Sequence, residues 1–135
     1  MNAVALPVTA LYAGVLALLM LVLAFNVIRG RYRAKVGLFD GGDERLGRTI
    51  RIHGNFIEYV PIALILMGLV EINGVPAWAL HAWGIVIVAS RLVHAHGLAG
   101  SSVASKGRTL GTAMMWFAVT TLAVTAISQF VLSEI

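Results

Sequence analysis

The chain has 135 residues, of which 59% are hydrophobic and 12% charged, and it carries a formal net charge of +4. Its mean hydropathy of +0.90 lies far above that of a soluble domain of this length, which points to an integral membrane protein. The absence of cysteine excludes disulfides, thiolate metal sites and cysteine nucleophiles, and the Lys and Arg flank apolar runs, so the positive charge indicates a membrane surface and not nucleic acid.

Four apolar runs follow in order. Lipid does not tolerate unpaired backbone, so each run of about 20 residues must be a helix. The first, about 4–30, has no charge before Arg29. It lacks the basic start and small-residue cleavage pattern of a signal peptide, so a retained helix is expected. The polar stretch from Arg29 to Gly47 holds the turn-forming DGGD at 40–43, with Asp43 as the expected N-cap of the second helix, 44–72. Asn73, Gly74 and Pro76 mark a tight turn before the third, 77–98. Gly97, Gly100, Ser101, Ser102 and Ser105 mark the next turn. The fourth helix, 107–132, carries a small-residue stripe of Gly107, Gly111 and Ala118 for close packing. The expected fold class is all-α: an integral membrane four-helix bundle, one domain, without internal repeats.

Orientation follows from the basic residues. Arg29, Arg31, Arg33, Lys35, Arg45, Arg48 and Arg51 lie in or beside the first loop, and Lys106 and Arg108 at the third. The second loop and both termini have none, so loops one and three are expected in the cytoplasm and both termini outside.

One segment breaks the apolar pattern. RIHGNFIEYVP, at 51–61, places ionisable groups inside the second span. At 100° per residue, Arg48, Arg51, Asn55 and Glu58 share an arc of about 80°, while His53 points elsewhere. Such groups cost at least a few kcal/mol each in lipid and must face protein or water. The third helix offers Arg91 at a depth matching Glu58, with His94 one turn away, so a Glu58–Arg91 pair is expected across the antiparallel helices. That pair alone could serve helix packing, and Arg48 and Arg51 could snorkel to lipid phosphates. Taken together, with Arg108 nearby, these residues make a cationic cavity with one acid at its floor, open to the cytoplasm. Its ligand would be a small polyanion that also bears an ammonium group. His81, Trp78, Trp83 and Tyr59 are expected at the interface or in packing, and Glu71 and Glu134 solvated on the outer side. The four histidines lack metal-ligand spacing, so no metal is expected.

ERLGRTIRIHGNFIEYVPIAL, residues 44–64, resembles the signature of the MAPEG superfamily, the membrane-associated proteins in eicosanoid and glutathione metabolism. Its core is present as Arg51, His53, Asn55, Glu58 and Pro61. HAWGIVIVASRLVHAHGL, 81–98, adds a family-like Arg91 and His94, and the fourth helix starts with Arg108–Thr109. The resemblance covers the whole chain and is nearest to small bacterial inner-membrane members. It implies a homotrimer with glutathione between subunits, toward the cytoplasm. It further implies that Arg48 and Arg51 hold the two carboxylates, Glu58 the ammonium and Asn55 the peptide groups, with Arg91 and His94 in the same site. Arg108 would hold the thiolate, which attacks a lipophilic electrophile arriving from the bilayer lipid. The chain departs from catalytic members at Leu98, where a tyrosine is common, at Thr109 in place of a serine, and at Gly54. A non-catalytic binding or scaffold member is therefore the alternative. A small exporter is a third reading, disfavoured because the first helix has no acid.

Overall fold

The computed structural model describes residues 5–100 and 105–135. It consists of four helices: α1 (Pro7–Ala34), α2 (Glu44–Ile72), α3 (Ala77–Ala99) and α4 (Lys106–Ser133). All four are long and apolar enough to cross a membrane. The described residues contain no strand, so the all-α membrane bundle expected from the sequence is the architecture found. Val4, Ser101 and Ser102, which the sequence placed at a helix start and in a turn, lie outside the described residues.

Local chemistry sets the boundaries. Pro7 stands in the first turn of α1, where its missing N–H costs nothing. α1 continues to Ala34, past its arginines, and stops where Lys35 turns left-handed at φ 55°. There the Val36 N–H donates to the Arg31 carbonyl at 3.1 Å and the Lys35 N–H to Tyr32 at 3.4 Å. This is a Schellman closure that uses lysine where glycine is usual. Asp43 caps α2 as expected, its carboxylate accepting the Leu46 N–H at 2.9 Å and pairing with Arg33 at 3.1 Å. The Leu46 N–H first, then Arg33, hold the Asp43 carboxyl below the usual carboxylate range. Ser105 caps α4 by accepting the Arg108 N–H at 3.2 Å.

Packing is closest between α3 and α4 and between α1 and α2, and α2 touches both α3 and α4. Leu16, Phe56, Met67, Ile87, Met115 and Leu122 fill the centre. Leu18, Phe25, Ile65, Phe117 and Phe130 point outward, as suits helices in hydrocarbon. Close approach depends on glycines. Gly97 lies within α3 and not in the turn expected there. A Cβ on it would collide with the backbone of Gly107 and Arg108. Gly84 admits the Tyr12 ring in the same way.

The outer end corrects a second expectation. Glu71 is not simply solvated. Its two carboxylate oxygens accept the backbone N–H groups of Val8 at 2.9 Å and Thr9 at 2.8 Å. A carboxylate at a helix N-terminus satisfies donors that the helix itself leaves open, and it meets the positive end of the helix dipole. Beside it, the Tyr12 hydroxyl lies 3.1 Å from His81 Nδ1 and donates to the His81 carbonyl at 3.2 Å.

Candidate functional site

The site begins with a buried cation. Arg91 is only 3% exposed. Its Nε donates to Ser90 Oγ at 3.1 Å, one Nη to Asn55 Oδ1, and the other Nη to the Gly111 carbonyl at 3.2 Å. Its guanidinium lies 5.8 Å from the Tyr59 ring centroid. Three helices thus solvate one charge with dipoles and a π-face. Among the described residues no carboxylate pairs with it.

The expected Glu58–Arg91 pair is therefore not formed. Glu58 turns instead to Arg51, two helical turns back on the same face, through contacts of 2.8 and 3.4 Å. The reason is angular. Asn55, 7% exposed, takes the inward position that meets Arg91. Glu58 stands further round the helix, and its side chain is 47% exposed. Seven residues bring it back over Arg51, whose side chain is 60% exposed.

His94 is buried beside Arg91. Gly111 makes this possible, because a Cβ there would stand 2.6 Å from the His94 nitrogen and the Ser90 carbonyl. Arg108 reaches this neighbourhood from the first turn of α4, held against α3 by the Gly97–Gly107 approach and by Ser105 Oγ, which donates to the Gly97 carbonyl at 2.5 Å. Asn55, Arg91 and His94 thus meet in the interior, the Arg51–Glu58 pair stands apart on the exposed side of α2, and Arg108 begins α4 beside Gly97.

Arg48 goes elsewhere. It faces α1 and lines a cleft of about 540 Å³ with Arg29, Arg33 and Arg45. Arg51 opens onto a different hollow of about 400 Å³ beside Asp40 and Gly54. Tyr59, expected at the interface or in packing, and Ser90, which no sequence motif marks, both belong to the Arg91 surroundings. Tyr59 lies against Arg91 and accepts the Trp116 Nε1–H at 3.2 Å. The signal for Ser90 was its hydroxyl next to an intramembrane arginine, where any polar neighbour is a candidate partner.

A cationic site on α2–α4 of a four-helix membrane bundle narrows the field, and comparison with known proteins decides it. The family model described as "MAPEG family" matches residues 9–128. The chain belongs to the MAPEG family. Among curated proteins it is 48% identical over 90 residues to the inner membrane protein YecN of Escherichia coli K12, covering 67% of this chain and 69% of YecN. The YecN of Escherichia coli O6:H1 matches to the same extent. In this MAPEG chain the family-like polar residues of α2 and α3 meet through the Asn55–Arg91 contact.

Proposed function

We propose that this MAPEG protein binds glutathione at the basic ends of α2, α3 and α4 and conjugates it to lipophilic electrophiles. The observation that carries the reading is Arg91: a buried guanidinium without a carboxylate partner among the described residues. Burying a charge without a counter-ion is costly, and although Ser90, Asn55 and the Gly111 carbonyl satisfy its donors, the uncompensated positive charge still favours an anion bound nearby. The exposed Arg51–Glu58 pair suits a zwitterion, which can exchange into it with its carboxylate on Arg51 and its ammonium on Glu58. Asn55, oriented by Arg91, offers its amide N–H₂ to a peptide carbonyl. Arg108 supplies positive charge that favours the ionised thiol, the thiol proton passing to water. Glutathione supplies the nucleophile, the sulfur bonds to the electrophilic carbon, and the leaving group departs with its electron pair.

The reading extends to assembly and placement. Measured over about 30 Å from the outer end of α2, Glu58 lies roughly 9 Å inside the hydrocarbon. A half-exposed ion pair at that depth must be covered by protein, and a homotrimer sharing this wall provides the cover. The relative named an inner membrane protein supports the bacterial inner membrane as the location. The nine Lys and Arg beside loops one and three support a cytoplasmic site and periplasmic termini. The second reading is a binder without catalysis, favoured by the buried Leu98, which puts no hydroxyl near the thiol position.

Isothermal titration with glutathione and conjugation to an apolar aryl halide test both. Wild type is expected to bind, and Arg51→Ala to weaken binding about tenfold to a hundredfold through loss of a charge-assisted contact. Neither heat nor conjugation at millimolar glutathione would end the proposal, and binding without conjugation would select the non-catalytic reading.

A further inference from the structure

The cleft between α1 and α2 is a second cationic feature, separate from the proposed glutathione site. Arg29 and Arg33 of α1 face Arg45 and Arg48 of α2 across it. Two acids stand close: Asp43 pairs with Arg33 at 3.1 Å and Glu44 with Arg48 at 3.5 Å. Four guanidiniums and two carboxylates leave two positive charges in excess. Arg29 and Arg45 form no ion pair among the described residues. Arg48 Nε is buried and donates to no acceptor there. Unmatched donors and excess charge together call for an anion.

The walls say which kind. Below the arginines the cleft is lined by Leu23, Asn26, Thr49 and Ile52, where α1 and α2 enter their apolar spans, and by Ala99 of α3. A soluble anion has no use for the apolar part of that floor. A lipid does, because its phosphates sit at the height of the arginines while its acyl chains continue down the apolar wall. The volume of about 540 Å³ exceeds what one phosphate needs and falls in the range of small-molecule sites. We infer that this cleft binds a phospholipid headgroup carrying two phosphate charges, clamped between α1 and α2 by Arg29, Arg33, Arg45 and Arg48. The site does not depend on glutathione binding, since Arg29, Arg33 and Arg45 belong to no part of that reading. It gives Arg48 a ligand of its own.

The test uses the full chain, delipidated in mild detergent, with native mass spectrometry and thermal melting as readouts. The probes are tetraoleoyl cardiolipin, which has two phosphodiesters, phosphatidylglycerol with one, zwitterionic phosphatidylethanolamine, and inorganic pyrophosphate. Wild type is expected to retain cardiolipin as a discrete adduct and to melt higher with it. Arg29→Gln/Arg45→Gln should lower that affinity by about tenfold or more, whereas Lys35→Gln/Lys106→Gln, the same charge change outside the cleft, should stay within about twofold. Arg29→Lys/Arg45→Lys keeps the charge and removes the guanidinium fork, so an intermediate loss is expected and checks that folding is intact. Equal losses in the two glutamine double variants would reduce the effect to diffuse surface attraction and overturn the site. Equal binding of phosphatidylglycerol would overturn the two-charge assignment, and an equal melting shift with pyrophosphate would overturn the lipid.

Discussion

Replacing Gly111 by alanine sets two physical effects against each other. In an ordinary helix interior, Gly→Ala stabilises by about 0.5–1 kcal/mol, because glycine loses more backbone freedom on folding. At Gly111 the new methyl would stand 2.6 Å from the His94 nitrogen and the Ser90 carbonyl, both backbone atoms that cannot swing aside. α4 must move off α3, and overpacking of this kind costs about 1–3 kcal/mol. The same movement draws the Gly111 carbonyl away from Arg91 Nη2, now at 3.2 Å. Loss of a hydrogen bond to a buried charge adds about 1.5–3 kcal/mol. The costs exceed the gain, leaving a net destabilisation of about 1.5–5.5 kcal/mol, or a fall in melting temperature of about 4–16 °C for a domain this size. Gly14 provides the control, since a Cβ there meets nothing within 4 Å. Gly14→Ala should melt at or above wild type. Melting of the purified variants in one detergent, with glutathione titration alongside, gives the comparison. A Gly111→Ala protein as stable as Gly14→Ala would refute the claim that backbone contact at this glycine holds α3, α4 and Arg91 together.

Arg108→Ala should reduce conjugation more than glutathione affinity, because its charge matters most once the thiol is ionised, and steady-state kinetics beside titration separate the two. Asn55→Leu should leave one Arg91 donor buried and unpaired and lower the melting stability by about 3 kcal/mol, whereas Glu58→Gln leaves every Arg91 contact in place and should cost less, in melting of the purified variants. The Asp43 carboxyl is held low in the folded chain, so its contribution is present above the ordinary carboxylate value and disappears as pH falls through the lowered one. Melting of wild type against Asp43→Asn should therefore differ at neutral pH and converge in acid. Glu71→Ala should expose the N-terminal turn of α1 to faster amide exchange at Val8 and Thr9, while exchange at the centre of α3 stays unchanged.

Much of this molecule was legible along the chain because lipid leaves the backbone few options. Apolar runs of spanning length must be helices, and Asp43, Gly74 and Pro76 punctuate them by local backbone chemistry alone. The candidate site was visible as well, since a polar residue within an apolar run stands out against its neighbours. Pairings could not be read in the same way. A helical wheel assigns Asn55 and Glu58 to one stripe, yet about 60° separates three residues, and that angle decides which of them meets Arg91. Asn55 does, so Glu58 was free to take Arg51. Glu71 had no local partner in sequence; its donors, Val8 and Thr9, lie more than sixty residues away and arrive only when α1 packs on α2. Arg48 similarly joined the arginines of α1 because two helices lie side by side. Periodicity dictates which residues share a helix face, but the rotation of each helix about its axis is set by the close glycine contacts of the packed bundle.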